Sequence, residues 1–264
     1  MGGITVEHWV DSCQSRGKYT FLREEVLDRT NLSPEATKKA LQRLVRKKRV
    51  LKLKDYFYLI VPLEYVAAGS PPASWFIHDL MSAMSLPYYV AVLSAAAQYG
   101  AAHQQPQEFQ VVTDRSVRPI FAGRAKVRFF ASKFVETAAT RSIKTPTGNM
   151  QVSAPETTAV DLVRFARAAG HLSNVATVLS QLVPDLDPKK LLAATRLVSD
   201  VPNTKRLGYL LDNVGGESLS QPIHDWLKKQ SPRPVPLQPG RGVSDAFEDR
   251  RWHVLVNQSI EVDT

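Results

Sequence analysis

The sequence predicts an α+β protein in two parts, an N-terminal unit of helices closed by a β-hairpin and a larger mixed domain behind it. Three observations carry that prediction. Residues 33–60 open with Ser33-Pro34, a helix start, and close in two short apolar runs of strand period. Residues 109–152 contain further strand-like runs, Phe109 to Val112, Ile120-Phe121 and Lys126 to Phe130, then a hairpin of Ser142 to Lys144 and Met150 to Val152 around Pro146-Thr147-Gly148-Asn149. The stretches on either side, 75–100 and 155–211, space their apolar residues as helices do. Helices, then strands, then helices again describe a segregated α+β domain rather than alternating β-α-β units.

Taken in order, the first helix spans 6–16, with Val6, Trp9, Val10 and Cys13 on one face and Gly17 as its stop. Thr20 is expected to cap a second, short helix that carries Leu22, Val26 and Leu27. The third helix follows Ser33. Pro34 sits in its first turn, where a missing N–H costs nothing. Thr37, Leu41, Leu44 and Val45 turn inward, so Lys38, Lys39, Gln42, Arg43 and Arg46 turn outward. Val50, Leu51 and Leu53, then Phe57, Leu59 and Ile60, form two strands with a turn near Lys54-Asp55. A capped basic helix followed by a basic hairpin is the outline of a winged helix-turn-helix. Its helix is expected in the major groove and its hairpin against the neighbouring backbone.

The chemistry agrees with the outline. Phosphates are neutralised by Lys and Arg, and base edges are read by side chains with donors and acceptors. Lys38 through Lys54 contain nine basic residues and no acidic one. The expected DNA-binding set is Ser33 at the helix start, Lys38, Lys39, Gln42, Arg43 and Arg46 along the helix, and Lys52 and Lys54 on the hairpin. Glu35, near the helix start, is placed either to accept from a cytosine amino group or, the commoner use, to complement the positive end of the helix dipole. The whole chain carries a net charge of +9; residues 1–66 hold thirteen Lys+Arg against eight Asp+Glu, a net of +5, which leaves +4 for the remainder. More than half of the excess therefore sits in the smaller part, as a basic module on a less charged body requires.

The stretch Ala67-Ala68-Gly69-Ser70-Pro71-Pro72 changes texture and marks the expected boundary, with domains at 1–66 and 67–264. Beyond it, Trp75, Phe76, Leu80 and Met84 suggest one helix, and Pro87-Tyr88-Tyr89 is expected to open another. After the strands, Pro155 starts a helix with Ala159, Leu162, Val163 and Ala166 on one face. Val175, Val178, Leu179 and Leu182 mark the next, then Leu191, Leu192 and Leu197, then Leu207, Leu210 and Leu211 ahead of Gly215-Gly216. Residues 231–242 read as extended and 252–261 as a strand.

The single cysteine, Cys13, excludes an intramolecular disulfide and a cysteine metal site. Histidines 8, 78, 103, 171, 224 and 253 are scattered, with no metal spacing. No phosphate loop, dinucleotide fingerprint or nucleophile elbow is present, so neither a cofactor nor a catalytic residue is expected. His78-Asp79 has no nucleophile beside it in sequence, and Asp185 and Asp187 read as surface acids. The start lacks a secretory core, and the most apolar run, 88–102, is too short to span a bilayer; the expected compartment is the cytoplasm.

Two local signatures remain. Ser153-Ala154-Pro155-Glu156-Thr157-Thr158 leads to Asp161 at the start of a helix, and Arg206-Leu207-Gly208-Tyr209-Leu210-Leu211 lies inside a later one. Gly208 costs that helix ~1 kcal/mol relative to Ala, which asks for a close neighbour. Asp161 and Arg206 carry opposite charge and are expected to pair. Strand, S-x-P-E-x-T-x-x-D and helix, followed by R-L-G-Y-L-L behind a winged helix, resembles the AbiEi antitoxins of type IV toxin–antitoxin systems. Pro155, Glu156, Thr158, Asp161, Arg206, Leu207, Gly208 and Tyr209 match; Thr157 stands where the family often has a basic residue. The resemblance implies a bacterial repressor of its own operon that binds double-stranded operator DNA. It also implies a second domain that opposes a cognate nucleotidyltransferase toxin without chemistry of its own. Two other readings stay open on residues alone, a ligand-sensing winged-helix regulator and a winged helix fused to an enzyme domain.

Overall fold

The computed structural model describes residues 4–101, 106–230 and 233–262. The N-terminal unit runs α1 (Val6–Ser15), β1 (Thr20–Leu22), α2 (Arg23–Thr30), α3 (Pro34–Arg46), β2 (Val50–Lys52) and β3 (Phe57–Ile60). Its three strands form one sheet in the order β1-β3-β2. Ser33 caps α3, its hydroxyl accepting from the Ala36 N–H at 3.2 Å, and Thr37, Leu41 and Leu44 are buried as the helical spacing requires. Trp9, Cys13, Phe21, Val26, Leu41, Leu44, Tyr58 and Ile60 share a core.

Thr20 is not a helix cap. It opens β1, whose residues pair antiparallel with Leu59, Tyr58 and Phe57. Phe21 explains the change: its ring is stacked on Tyr58 and meets Trp9 edge-on, a placement that a strand on this sheet provides. The helix starts only at Arg23, after Glu25 has reached back to accept from the Leu22 N–H at 2.9 Å.

The second part is built on a six-stranded sheet in the order β6-β7-β5-β4-β9-β8. Its strands are β4 (Tyr88–Val90), β5 (Phe109–Thr113), β6 (Ile120–Ala122), β7 (Ala125–Ala131), β8 (Thr140–Thr145) and β9 (Gly148–Ser153). The expected helix at Pro87 is therefore β4, near the centre of the sheet. Tyr88, Tyr89 and Val90 favour extended backbone, and β5 and β9 flank them as hydrogen-bonded neighbours. Only from Val92 does the chain turn into α5 (Val92–Ala96).

One face of the sheet carries a helical layer of α5, α6 (Pro155–Arg164), α7 (His171–Leu182), α8 (Pro188–Val198), α9 (Val201–Asn213) and α10 (Glu217–Leu227). Helix α10 has no counterpart in the sequence reading, which ended its helices at Gly215-Gly216. The strand expected over 252–261 shortens to β12 (Val254–Val256), which joins β10 (Val235–Pro236) and β11 (Phe247–Asp249) in a small sheet. The other face of the large sheet meets α4 (Ile77–Ala83) and, from the N-terminal unit, Phe57 and Leu59 of β3.

Strand β3 is thus shared. Tyr58 and Ile60 point into the N-terminal core, and Phe57 and Leu59 into a core with Phe76, Ile77, Leu80, Val111 and Val152. The stretch 67–72 is fastened as well. Ser70 Oγ donates to the Ala122 carbonyl at 2.7 Å and the Arg124 N–H donates to the Ala68 carbonyl at 3.0 Å. A Cβ on Gly123 would lie 2.5 Å from the Ala68 oxygen, so only glycine allows this approach.

A fragment of residues 1–66 keeps its own core but uncovers Phe57 and Leu59, each worth about 1.5–3 kcal/mol of burial. It should melt well below the N-terminal unit of the full chain in circular dichroism. Phe57→Thr with Leu59→Thr should improve its solubility. Equal stability of the two forms would mean that contact across β3 contributes nothing.

Candidate nucleic-acid interface and buried motif residues

Lys38, Lys39, Gln42, Arg43 and Arg46 all lie exposed on α3, opposite buried Leu41 and Leu44. The hairpin stands beside them. Between the two runs a groove of about 370 Å³, lined by Lys38, Gln42 and Arg46 from the helix, Lys52 and Tyr58 from the sheet, and Arg23 from α2. Arg23 was not named from the sequence, where this stretch was read only as a short helix with Leu22, Val26 and Leu27 as its apolar residues.

The basic run is not uniform. Arg49 is held by Asp11 at 2.6 Å and Lys47 by Glu7 at 3.1 Å, so two of its charges brace α1 against the end of α3. Lys52 meets Asp55 at 2.7 Å. That hydrogen bond raises the Lys52 ammonium above its ordinary range and lowers the Asp55 carboxyl below its own. Lys54 is half-buried in the turn. Among the described residues Lys38, Lys39, Arg43, Arg46, Lys48 and Lys54 make no ion pair. Ser33 spends its side chain on the cap.

The motif residues of the second domain lie inside it. Every residue of α6 from Pro155 through Val163 is buried. Its polar side chains each find a partner. Glu156 Oε1 accepts from the Asp187 N–H at 3.1 Å, and Thr157 donates to the Ala139 carbonyl at 3.0 Å. The Thr158 hydroxyl lies 2.7 Å from that of Ser153. Asp161 accepts from the Tyr89 hydroxyl and from Arg164 Nη1, both at 2.9 Å. Burial pushes its carboxyl up to about 6, against the opposing pull of Arg164 and Tyr89. Asp185 and Asp187 are exposed, as surface acids are, and Asp187 is also the N-cap of α8, accepting from the Lys190 N–H at 2.9 Å.

Asp161 and Arg206 do not pair. Asp161 takes Arg164, three residues along its own helix and nearer to hand. Arg206 serves the C-terminal segment instead: Nε donates to the Pro236 carbonyl at 3.0 Å and Nη1 to Asn203 Oδ1 at 2.8 Å. Neighbouring motif residues do the same work. Lys205 Nζ donates to the Arg233 carbonyl at 2.7 Å, and Trp252 Nε1 donates to Asp212 at 2.7 Å. Gly208 lies against the Trp252 ring, where an added Cβ would come within 2.1 Å of a ring carbon. Tyr209 is buried. The motif along α9 is a clamp on residues 233–256.

His78 lies 3.2 Å from the Tyr88 hydroxyl, and Asp79 accepts from Thr20 across the two parts of the chain. His103 lies outside the described residues. Among the described residues no three His, Cys, Asp or Glu side chains gather as a metal site, and no helix is long and apolar enough to cross a membrane.

Residues 89–213 match the family model described as the AbiEi antitoxin C-terminal domain. Both motifs fall inside that segment, and the N-terminal unit and the clamped C-terminal residues fall outside it. A search of the curated proteins gives no match. Among solved structures, the Rv2827c protein from Mycobacterium tuberculosis is similar in fold, at a TM-score of 0.67 and 17% identity over 94% of this chain and 90% of that one.

Gly208→Ala should displace Trp252 and cost about 1–3 kcal/mol or more, read as a lower melting temperature with a red-shifted tryptophan emission. An unchanged spectrum would mean that the ring does not sit on α9.

Asp161 gives a pH test. Its folded pKa, about 6, lies above the ordinary carboxylate value, so between about pH 4 and 6 the folded chain holds a proton that the unfolded chain lacks. Stability from this group therefore falls as pH rises through that window. Asp161→Asn removes the effect. Its stability relative to the parent should improve by about 2–3 kcal/mol between pH 4 and pH 7 in urea titrations, on top of a constant hydrogen-bond cost. A pH-independent difference would overturn the assignment.

Proposed function

We propose that this chain, whose residues 89–213 match the AbiEi antitoxin C-terminal domain, acts as an AbiEi antitoxin that represses its own operon and opposes a cognate nucleotidyltransferase toxin. The observation that supports the DNA half is the face of α3. It presents four exposed cations and Gln42 with no acidic residue among them, beside a hairpin that adds Lys52 and Lys54. On this reading Lys38, Gln42 and Arg43 meet base edges, and Lys39, Arg46, Lys52 and Lys54 meet phosphates. Arg23, on the groove between helix and hairpin, joins the phosphate set. Such a protein works in the cytoplasm and needs no cofactor.

The antitoxin half rests on the family domain. The matching residues Pro155, Glu156, Thr158, Asp161, Arg206, Gly208 and Tyr209 are buried, and Glu156, Thr158, Asp161 and Arg206 are bonded within the chain. Their task is to hold the domain together, so the surface that opposes the toxin consists of other residues. The AbiEi antitoxins are not an enzyme family, and the reading assigns no catalytic residue. A ligand-sensing regulator is the second reading, favoured by one observation, an arginine-lined cavity in the second domain.

Fluorescence anisotropy on an operator fragment and on random DNA tests the DNA half. Gln42→Ala should cost ~1–3 kcal/mol on the operator and less on random DNA. Lys54→Ala should weaken both and reduce the salt slope by about one. Asp55→Ala releases Lys52 and should strengthen both. Equal loss of both DNAs in Gln42→Ala would mean that α3 is not a reader. Failure of the full-length protein to protect cells from a co-expressed neighbouring nucleotidyltransferase would end the antitoxin half.

A further inference from the structure

A second concentration of positive charge lies away from α3. A cavity of about 420 Å³ opens between β7, the end of α6, the start of α7 and the segment around Pro239. Its walls include Arg128, Arg164, Arg167, Arg206 and His171, and no aspartate or glutamate. The volume suits a small molecule.

Two of these guanidinium groups have carboxylate partners just beyond the wall. Arg164 meets Asp161 at 2.9 Å and Arg128 meets Glu108 at 3.3 Å. Arg167 and Arg206 meet none among the described residues. Arg206 is 7% exposed, and both groups that accept from it, the Pro236 carbonyl and the Asn203 amide oxygen, are neutral. Burial disfavours the Arg206 charge, and Asp200, the nearest carboxylate to act on it, opposes that only in part without meeting it directly.

The backbone points the same way. His171 and Leu172, the first residues of α7, line the cavity. This twelve-residue helix is preceded by Gly170, which has no side chain to cap it. The His171 N–H is taken by the Ala166 carbonyl at 2.8 Å, so the N–H groups that follow it in the first turn, with the helix dipole, favour an anion there. The remaining wall is aromatic. Phe130 and Phe165 pack at 4.6 Å, with Arg128 over the first ring at 5.2 Å and Arg164 over the second at 5.1 Å. These contacts hold two guanidinium planes in place before any ligand arrives.

We propose that this cavity binds a small phosphorylated organic molecule of nucleotide size. Its phosphate lies on Arg167, Arg206 and the start of α7, and its carbon skeleton lies against the phenyl wall. The site is separate from the α3 face, so it stands or falls independently of operator binding.

The test is calorimetric titration of the full-length protein with ATP, GTP, CMP, pyrophosphate and inorganic phosphate in turn, and with a short single-stranded oligonucleotide. Arg167→Ala and Arg128→Ala change exposed side chains, and operator binding by both variants serves as the control. The expected result is saturable binding of at least one nucleotide, tighter than that of inorganic phosphate or pyrophosphate. Each variant should weaken it by about tenfold or more while melting and operator binding stay unchanged. Absence of nucleotide binding at low-millimolar probe would overturn the proposal. So would inorganic phosphate binding as tightly as any nucleotide, binding confined to the oligonucleotide, or nucleotide affinity unchanged in both variants.

Discussion

Helix α6 is closed in on every side, and the second domain is arranged around that burial. An apolar helix would meet the requirement with packing alone. This one carries Glu156, Thr157, Thr158 and Asp161 within its first two turns, so each neighbour has to supply a polar partner at a fixed place. The loop before α8 supplies the Asp187 amide, the segment before β8 supplies the Ala139 carbonyl, and β4 supplies the Tyr89 hydroxyl. Asp161 is the most demanding of these groups. Its carboxylate lies in the helical core, and removal of one partner from such a pair leaves a buried charge at a cost of ~3–5 kcal/mol. The Tyr89 bond joins the sheet to the helical layer, and the Asp161 carboxylate holds Arg164, at the end of α6, beside the arginine-lined cavity.

The second motif extends the same logic outward. Lys205, Arg206, Gly208 and Asp212 all face the C-terminal segment, by hydrogen bond or by ring contact. The matched family segment stops at residue 213, yet the residues held by its last helix run from Arg233 to Trp252. The motif on α9 therefore has little meaning within the matched segment alone. Its glycine and its long cations make sense once the clamped strand and tryptophan are in place, which is why spacing along α9 named a close neighbour for Gly208 but not which one.

Legibility in the sequence followed how local each signal was. Ser33-Pro34, the face of α3, the hairpin at 50–60 and the strands between 109 and 153 were read correctly, because cap, period and turn residues all lie within a few positions of one another. Thr20–Leu22 and Tyr88–Val90 were read as helical and are strands. Each is three residues long, too short for a period of two to register, and each is fixed by partners more than fifteen residues away. The Asp161–Arg206 pair failed for a related reason: opposite charge on two helices is a weak constraint when Arg164 stands one turn away. The α3 face was found by counting charges, but counting could not separate cations braced on Glu7 and Asp11 from those left on the surface.

The two-sided strand β3 bears on how the parts work together. A flexible linker would let the α3 face sample orientations while the second domain met its own partner. Here Phe57 and Leu59 belong to the core under the large sheet, and Tyr58 and Ile60, one residue away, belong to the core under α3. A shift of β3 by one residue would exchange the two faces and force each set into the core shaped for the other. The segment after it is tied to β6 and to the β6–β7 turn, and Thr20 is tied to Asp79 on α4. On the proposed operator-binding reading, an event in the second domain that changes DNA affinity would therefore act through the packing of β3 or through a surface shared with DNA. In a core this close-packed the first route takes a discrete repacking of Phe57 and Leu59 against Phe76 and Ile77, rather than a gradual tilt.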